Sequence, residues 1–328
     1  MPEPNCVVIG GSGFLGRRLC QRLVQAGGRV RSVSRTGRPQ GEAQPWWQEI
    51  DWIGADMGTE TCFRALAGAD VLFHLASSTY PSTSNLDSVF DLESNLVGCV
   101  RLLNAAVEYG IRRVVFVSSG GTVYGIPEQT PIPETHPTNP ICSYGIHKLA
   151  VEKYLSMHRR LSGLGSIVLR VANMYGEDQS LDRPLGAVSH FVHRALSGIP
   201  IEVWGDGTVK RDFVYVDDVV NALIGARDYD GPEHIFNIGS GRSVSLKALI
   251  DLIGQRTNRD IRVSYFPARN FDIPDNLLDI SRASRELGWT PATCLEDGIG
   301  RLIASANASP PEEIILSGHD VSGRSQAA

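Results

Sequence analysis

The sequence lacks three patterns that would each indicate a particular class of protein. Its 31 basic and 36 acidic residues give a net charge of −5 with no block of like charge, which argues against a nucleic-acid-binding or membrane-binding surface. No apolar run reaches about 18 residues, so we expect no membrane span. The N-terminus enters a strand pattern almost at once, and we therefore expect no signal peptide.

Metal-ligand and disulfide patterns are also missing. Six cysteines are scattered without CxxC spacing, mostly among apolar neighbours, and are expected to be small buried hydrophobic residues: Cys6, Cys20, Cys62, Cys99, Cys142 and Cys294. No spacing brings three histidines together. We predict no metal site, and the cysteines favour a reducing, cytoplasmic compartment.

What the sequence does contain is a regular alternation in its first half. Strands are predicted at residues 6–10, 30–34, 49–55, 71–76 and 113–119, and helices at 14–26, 59–67 and 88–109. Continuous runs of Val, Ile and Leu separated by helices are typical of parallel strands buried on both faces. We therefore predict an α/β fold with a Rossmann-type, doubly wound parallel sheet.

The second half adds a long helical pattern from about Ser143 to Leu161 and then less regular strand–helix pairs. We expect the strands near 212–216 and 235–238 to join the central sheet. The 328 residues then divide into three parts. Residues 1–172, plus about 211–238, form the dinucleotide-binding domain, residues 173–210 and 239–304 form a smaller C-terminal substrate-binding lobe, and residues 305–328 form an irregular or disordered tail.

A glycine-rich turn, IGGSGFLG at residues 9–16, follows the first strand and opens the first helix. Its glycines fit either Gly11-x-Gly13-x-x-Gly16 or Gly10-x-x-Gly13-x-x-Gly16. Either way, one glycine forms the tight turn, one lets the backbone approach a pyrophosphate, and one lets the helix pack on the strand. The helix N-terminus supplies amides and the positive end of its dipole. This context predicts a dinucleotide cofactor.

The end of the second strand bears on which dinucleotide is bound. An acidic residue about 20 residues beyond the glycines would bond the adenosine ribose of NAD, but this sequence has Ser34 and Arg35 there. An arginine at this place can stack on adenine or pair with the 2′-phosphate of NADP, or it can belong to a solvent-facing loop. The residues themselves leave NAD and NADP open.

Tyr144 and Lys148 stand four residues apart at the start of a predicted helix, so their side chains share one face. A phenol has a reference pKa of about 10. We expect the Lys148 ammonium and an oxidised nicotinamide, both positive, to bring the pKa of Tyr144 toward working pH. Tyr144 would then take a proton from a sugar hydroxyl while hydride leaves the same carbon, and Lys148 would also hold the ribose hydroxyls.

Six segments in this order resemble the extended short-chain dehydrogenase/reductases. They are GGSGFLG (10–16), FHLAS (73–77), SSGGTVYG (118–125), SYGIHK (143–148), RVANMYG (170–176) and KRDFVYVDDV (210–219). The resemblance covers about residues 5 to 302. Within that superfamily the chain is most similar to nucleotide-sugar epimerases and dehydratases of the UDP-glucose 4-epimerase type, although the motifs are much less specific for the substrate.

The resemblance implies an NAD site, with NADP allowed by Ser34 and Arg35. It assigns the pyrophosphate to Gly10, Gly13, Phe14, Leu15 and Gly16, the adenine end to Arg35, Asp56 and Met57, the nicotinamide side to Leu75, Ala76, Ser77 and Ser118, and the ribose and reacting carbon to Tyr144 and Lys148. For Asp56 the alternative is a structural one, a cap for the helix beginning near Thr59.

The resemblance also implies a nucleotide-sugar substrate, UDP-linked in most such proteins. Asn173 and Arg211 would bind its phosphates, Arg269 and Asp272 fall where the family contacts the nucleotide, and Thr122 would face the sugar. Arg211 has a structural alternative, a surface pair with Asp212 or Asp217. The helices near 88–109 and 143–161 are apolar enough for a four-helix homodimer interface, as in similar proteins, or for core packing alone.

One departure from the family pattern lies in the hydroxyl triad. In the epimerases a Ser or Thr two residues before the Thr of TVYG completes a Ser/Thr–Tyr–Lys triad, and here that position is Gly120. The hydroxyl must then come from Ser119, from Thr122 or from water. We expect Gly120 and Gly121 to empty the base of the pocket, either to admit a bulkier sugar substituent or to let Thr122 turn inward.

A second departure concerns the type of reaction. The 4,6-dehydratases carry an Asp–Glu pair immediately before VYG, and the decarboxylases carry a Glu there, whereas this chain has Gly121 and Thr122. Eliminating water or assisting decarboxylation requires a carboxylic acid at that place. Neither reaction is expected.

Three functions are compatible with these residues. We favour a 4-epimerase that inverts C4 of a UDP-linked hexose through a 4-keto intermediate with tightly bound NAD. The alternative is an NADPH-dependent 4-keto reductase, favoured by Ser34, Arg35 and the missing triad hydroxyl. A third function, a cofactor-sensing regulator with a degenerate site, is opposed by the intact Tyr144 and Lys148. The sequence leaves the sugar and its substituents open.

Overall fold

The central sheet consists of short runs of apolar and β-branched residues. A computed structural model describes residues 3–41, 43–180, 186–269 and 273–308. The sheet strands are β1 (Cys6–Ile9), β2 (Val30–Ser34), β3 (Ile50–Gly54), β4 (Val71–His74), β5 (Arg113–Ser119), β6 (Gly165–Val171) and β10 (Ile235–Ile238). They pair in the order β10-β6-β5-β4-β1-β2-β3, with every pair parallel. The predicted α/β, doubly wound sheet is confirmed.

The order of the strands fixes where a ligand can bind. β1 lies between β2 and β4, with Ile9 opposite Val33 on one side and His74 on the other. The chain therefore leaves β1 toward one side of the sheet first and returns to the other side later. In such sheets the ligand crevice opens at the carboxyl ends of the strands where this reversal occurs.

Helices cover both faces of the sheet. They are α1 (Phe14–Gln25), α2 (Glu60–Arg64), α3 (Ser88–Asp91), a π-helical segment (Leu92–Val97), α4 (Gly98–Glu108), α5 (Ser143–Ser162), α6 (Ala187–Ser197), α7 (Val216–Asp228), α8 (Leu246–Thr257), α9 (Ser281–Leu287) and α10 (Leu295–Ala308), with a 3₁₀ turn at Pro45–Glu49. One core layer contains Leu19 and Leu23 of α1, and the opposite layer contains Leu102 of α4 and Leu155 of α5. Burial on both faces explains why the strands read as continuous apolar runs.

A second, smaller sheet lies beyond β6. It contains β7 (Asn173–Tyr175), β9 (Lys210–Tyr215), β11 (Ser243–Ser245) and β13 (Asp275–Asn276), and a separate pair joins β8 (Ile201–Trp204) to β12 (Val263–Phe266). The prediction that the strand near 212–216 joins the central sheet is therefore wrong. Phe213 pairs with Asn173 of β7, whereas Phe236 of β10 pairs with Leu169 of β6 as predicted. An apolar pattern predicts that a strand is buried, but it does not predict which sheet the strand joins. Strands of both sheets are buried here.

The C-terminal boundary also shifts from its predicted place. α10 extends through residues 305–308, because Ile299 and Leu302 bury one face of that helix and keep it in register with the core. The remaining part of the predicted tail lies outside the described residues. Within the described ranges, no helix combines the length and apolar character that crossing a bilayer requires.

Candidate active site

The glycine loop joins β1 to α1, and its glycines have distinct geometric reasons. Gly10 has a φ of +90°, and a Cβ there would lie 3.0 Å from the backbone nitrogen of Ala76. A Cβ on Gly16 would lie 2.1 Å from the carbonyl oxygen of Gly10, so α1 can approach the loop this closely only at a glycine. At Gly13 the nearest such contact is 3.2 Å, again to Gly10. Gly13 therefore leaves the front of the helix open.

The N-terminus of α1 fits an anionic group. Gly13 is its N-cap, no described side chain caps it, and the first turn contains no acidic residue. The leading amides of a helix, here those of Phe14 and Leu15, have no intrahelical acceptor. Free amides and the positive end of the helix dipole suit a pyrophosphate. The residues present therefore fit a dinucleotide where the sequence predicts it.

The adenine end of the predicted site lies at the ends of β2 and β3. The Ser34 hydroxyl accepts a hydrogen bond from the amide of Ser12 at 3.1 Å, which ties β2 to the glycine loop. Arg35 follows it and is exposed. Asp56 is exposed too, and its carbonyl oxygen, rather than its carboxylate, accepts from the Thr59 hydroxyl at 2.7 Å. The capping role considered for Asp56 is thus not what begins α2.

The residues after β4 line the same crevice. The amide of Leu75 donates to the carbonyl of Ile9 at 3.0 Å, and Ala76 lies against Gly10. The Ser77 hydroxyl donates to the carbonyl of Thr79 at 3.0 Å. The predicted pyrophosphate and nicotinamide residues are therefore brought together at the point where the sheet order reverses.

Tyr144 and Lys148 lie on one face of α5, as predicted. Lys148 is 3% exposed, and its ammonium donates to the carbonyl of Val117 at 3.0 Å. The same nitrogen is 5.6 Å from the centre of the Tyr144 ring and 4.9 Å from that of Phe116. Burial lowers the pKa of Lys148 to about 8. Buried contacts therefore hold Lys148 beside Tyr144.

The chain by itself shifts the pKa of Tyr144 upward, opposite to the direction that we expected. We expected Lys148 to lower it, but burial raises the pKa of Tyr144, and the nearby Cys142 and Asp91 raise it further. Burial disfavours any charged form, so the phenol is neutral in this geometry.

Gly120 and Gly121 have different surroundings. A Cβ on Gly120 would lie 2.5 Å from a methyl carbon of Leu278 and 3.0 Å from the carbonyl oxygen of Arg170. A Cβ on Gly121 would meet only the Ser119 hydroxyl, at 3.9 Å. The expectation that both glycines empty the base of the pocket is therefore wrong at Gly120, where Leu278 fills the space, and it holds at Gly121.

Restoring a triad serine at this position should fail for steric reasons. We expect Gly120→Ser to lower the free energy of unfolding by about 1–3 kcal/mol, because the new side chain overpacks against Leu278. Gly121→Ser is the matched control, and it should cost less than about 1 kcal/mol. Urea denaturation of both variants measures the difference. Equal stability of the two variants would contradict this account of Gly120.

Thr122 lies on the loop that packs against the start of α5. Its Oγ1 is buried and has no hydrogen-bond partner among the described residues. A Cβ added to Gly145, the residue after Tyr144, would lie 3.2 Å from the Thr122 Cβ. Buried hydroxyls are normally satisfied, so the Thr122 hydroxyl is a candidate to bond a substrate oxygen. Ser119, the other candidate, is half-buried on the same loop.

Ser118 contacts a buried ion pair. Its hydroxyl donates to Glu152 at 2.6 Å, and Glu152 pairs with Arg170 at 2.6 Å, with side chains 2% and 3% exposed. The predicted role of Ser118 against the nicotinamide stays a prediction, with its hydroxyl engaged on the α5 side. We did not identify Glu152 and Arg170 from the sequence. An arginine inside the apolar strand SIVLRV was the available signal, because a buried charge requires a partner.

The predicted phosphate binders meet across two strands of the small sheet. Asn173 on β7 donates to the carbonyl of Asp212 at 3.3 Å, and Arg211 on β9 donates to the carbonyl of Ile273 at 2.5 Å. The two carboxylates considered as surface partners of Arg211 have other partners among the described residues. Asp212 accepts from Ser240 at 2.7 Å, and Asp217 pairs with Arg18 at 3.5 Å.

The two other predicted nucleotide contacts lie further along the chain. The Arg269 guanidinium lies over the ring of Trp204, 3.8 Å from its centre. Trp204 in turn stacks on Phe266 with the ring centres 5.4 Å apart. Asp272 lies outside the described residues.

Comparisons with known proteins identify a family and several similar chains. Residues 6–239 match the NAD dependent epimerase/dehydratase family. The chain is 35% identical over 302 residues to a UDP-glucose 4-epimerase of Mycolicibacterium smegmatis, covering 90% of this chain and 96% of that protein. It is 32% identical over 305 residues to a dTDP-4-dehydro-6-deoxyglucose reductase of Escherichia coli, covering 91% and 96%. The UDP-glucose 4-epimerase of Thermotoga maritima, solved with UDP-glucose, superimposes with a TM-score of 0.88 at 33% identity, covering 93% and 99%.

Proposed function

Because the chain belongs to the NAD dependent epimerase/dehydratase family, we propose that it is a 4-epimerase of a UDP-linked hexose. The observation that carries this proposal is the buried Thr122 hydroxyl, which has no partner among the described residues, on the loop against the start of α5 and at a position where the dehydratases have a carboxylic acid. The similar epimerases of M. smegmatis and T. maritima support the substrate class. The reaction is redox-neutral overall, so the cofactor should remain bound between turnovers.

Bound NAD supplies hydride acceptance and return at C4, and the residues of this chain supply the rest. The leading amides of α1, those of Phe14 and Leu15, would hold the pyrophosphate, and Gly10, Gly13 and Gly16 allow the close backbone approach that this requires. Tyr144 exchanges a proton with the C4 hydroxyl. Lys148 holds positive charge beside that phenol and stays fixed through its bond to Val117.

Thr122 replaces the missing triad hydroxyl in this proposal. Gly120 cannot be a serine without displacing Leu278, while the Thr122 Oγ1 is buried and lacks a described partner. A hydroxyl in a dry site polarises a substrate oxygen more strongly than one already bonded to protein. Arg211 and Asn173, on neighbouring strands, complete the site by binding the phosphates.

Replacing Thr122 tests which hydroxyl acts. We expect Thr122→Val to lower kcat for UDP-glucose epimerisation by about 10- to 100-fold, because the hydroxyl is lost while the shape is kept. Ser119→Ala is the matched comparison and should retain activity within about threefold. A coupled assay of UDP-galactose and UDP-glucose interconversion measures both. Unchanged activity in Thr122→Val, with loss in Ser119→Ala, would reassign the hydroxyl to Ser119.

A 4-keto reductase is the second candidate. It is favoured by Arg35, exposed at the end of β2 without an acidic neighbour there, and by the similarity to the E. coli reductase. The two candidates differ in how they treat the cofactor. An epimerase retains NAD through the cycle, whereas a reductase must exchange NADPH on every turnover.

Identifying the released nucleotide separates these candidates. We expect denatured, freshly purified protein to release close to one equivalent of NAD⁺ or NADH per chain. A protein that is empty and binds NADPH more tightly than NADH would overturn the epimerase and assign the reductase. In that case Arg35→Ala should weaken binding of NADPH more than binding of NADH.

The homodimer is also a proposal. Exposed apolar side chains lie on the α3–π-helix segment, at Val89, Phe90 and Leu92, and on α5, at Ile146, Met157 and Leu161. The α3–π-helix segment packs directly on α5, so these side chains belong to adjoining helices. Large exposed apolar patches typically mark protein interfaces. Two copies of this helix pair would form a four-helix interface.

A charge placed on this surface should separate the subunits. We expect wild-type protein to sediment as a dimer, and Met157→Glu to shift it to monomer, because a carboxylate would be buried without a partner. Lys247→Glu, which places the same charge at an exposed position of α8 away from this surface, is the control. A monomeric wild type would refute the proposed interface.

The cytoplasmic location stays a prediction, supported by the six free thiols.

A further inference from the structure

A buried polar cluster lies beneath the first turn of α5. It consists of Thr79, Asp91, Asn95, Ser143 and His147, and we call it the Asp91 cluster. Asp91 has no exposed surface, although it carries a carboxylate, and it lies where α3 passes into the π-helical segment. A buried carboxylate is costly unless it is fully hydrogen-bonded, so its retention calls for a reason.

Both carboxylate oxygens of Asp91 accept hydrogen bonds. One oxygen accepts from the Ser143 hydroxyl at 2.6 Å and from the His147 Nδ1 at 3.0 Å. The other accepts from the Asn95 amide at 3.1 Å and from the Thr79 hydroxyl. An ionised carboxylate can only accept, so His147 must carry its proton on Nδ1.

The two α5 donors lie on either side of the catalytic tyrosine in sequence. Ser143 directly precedes Tyr144, and His147 directly precedes Lys148. The His147 ring also meets the Tyr144 ring edge-on, with the ring centres 5.1 Å apart. One carboxylate therefore fixes the helix turn that carries both catalytic side chains, and it fixes one wall against the Tyr144 ring.

Asp91 also contributes a negative charge that favours the ammonium form of Lys148. Burial, followed by the charge of Lys148, lowers the pKa of His147 to about 4, so His147 is neutral at physiological pH. Burial alone would raise the pKa of Asp91, but its hydrogen bonds from Ser143, Thr79 and His147 outweigh that and lower it. Asp91 therefore stays ionised beneath Lys148.

The other titratable groups that interact with Lys148 lie on β4, α4 and α5. Burial, Lys148 and His147 lower the pKa of His74, on β4, to about 3, so that ring is neutral. Cys99 of α4 is a protonated thiol, because burial raises its pKa. Glu152, one turn along α5, pairs with Arg170, and its charge raises the pKa of Lys148 less than the charge of Asp91 does. Among the described neighbours, Asp91 is the carboxylate without a cationic partner.

We propose that Asp91 is a positioning residue for catalysis, which holds the Tyr144–Lys148 turn through Ser143 and His147 and keeps Lys148 protonated by its buried charge. The proposal rests on the proposed epimerase function for its kinetic readout. Its electrostatic part does not, because the Lys148 charge state can be measured without substrate.

The central experiment titrates Lys148 directly. The chain has only four lysines, Lys148, Lys153, Lys210 and Lys247, so ¹³Cε-lysine NMR resolves each, and loss of one signal in Lys148→Met assigns it. We expect Asp91→Asn to move the Lys148 midpoint to lower pH, because removing a negative charge disfavours the ammonium. Asp87→Asn, an exposed carboxylate that caps α3, is the matched control and should leave the midpoint unchanged.

Kinetics then test positioning. We expect Asp91→Asn to lower kcat for UDP-glucose epimerisation by up to about 100-fold with KM nearly unchanged, since Asp91 is buried and acts through Ser143 and His147. His147→Gln, which keeps an amide donor toward Asp91, should remain within about threefold of wild type, whereas His147→Leu should lose activity but retain the Lys148 midpoint.

Two results would overturn the proposal. One is a Lys148 midpoint that Asp91→Asn leaves unmoved. The other is equal activity of His147→Gln, His147→Leu and wild type. If Asp91→Asn fails to fold, the two His147 variants decide the positioning role. If wild-type protein does not epimerise UDP-glucose, the proposed function fails, while the Lys148 titration still decides the electrostatic role.

Discussion

Tyr144→Phe should lower kcat for epimerisation of UDP-glucose by about 10³-fold while leaving bound NAD in place. In the proposed mechanism the phenol exchanges a proton with the C4 hydroxyl, and phenylalanine keeps the ring that packs on His147. The fold and the cofactor loop are not touched by the change.

Tyr154→Phe is the matched control for this result. Tyr154 lies on the same helix, is 36% exposed, and should be neutral to catalysis when its hydroxyl is removed. A coupled spectrophotometric assay gives kcat, and the nucleotide released on denaturation reports the bound NAD. A Tyr144→Phe enzyme that retains a tenth or more of wild-type kcat would show that another group transfers the proton.

Arg170→Met should lower the free energy of unfolding by about 3–5 kcal/mol. The loss leaves Glu152 as an unpaired charge, because the ion pair has side chains only 3% and 2% exposed. The Arg170 guanidinium also lies 4.8 Å from the centre of the Tyr124 ring, so methionine removes that contact as well. The effect should be among the largest available from a single charged residue.

A surface pair with similar geometry is the control for Arg170. Arg194 and Glu202 meet at 2.9 Å, but their side chains are 20% and 40% exposed, so Arg194→Met should cost about 0–1 kcal/mol. Guanidinium denaturation measures both variants. Adding Glu152→Gln to Arg170→Met should recover part of the loss, because the stranded charge is then removed. Equal losses for Arg170→Met and Arg194→Met would contradict this assignment.

The central sheet could be predicted because its signal is local. The strands at residues 30–34 and 113–119 have the predicted bounds, since a run of β-branched residues between polar turns fixes both ends. The glycine loop and the Tyr144–Lys148 pair were found for the same reason, being short motifs at fixed spacing. In each case the residues that matter lie within one or two helical turns of each other.

The features that could not be predicted depend on contacts between distant segments. Leu278 fills the space at Gly120 from 158 positions further along the chain, and no local pattern predicts that contact. Asp91 appeared as one polar residue in an apolar helical pattern, and its partners come from three separate segments. The sheet that β9 joins also depends on pairing with strands distant in sequence, so the local pattern could not predict it.

The contact at Gly120 also has a consequence for motion. The catalytic strand β5 ends at Ser119, and the next carbonyl, that of Gly120, accepts from Asn276 of β13 at 3.1 Å, while Ile132 pairs with Leu277 at 2.8 Å. These hydrogen bonds join the small sheet to the end of β5, and Leu278 packs in the space that a side chain at position 120 would need. Moving one sheet relative to the other at this seam would therefore break buried bonds. In the proposed enzyme we expect the two sheets to move together here, and the small size of Gly120 makes that close packing possible.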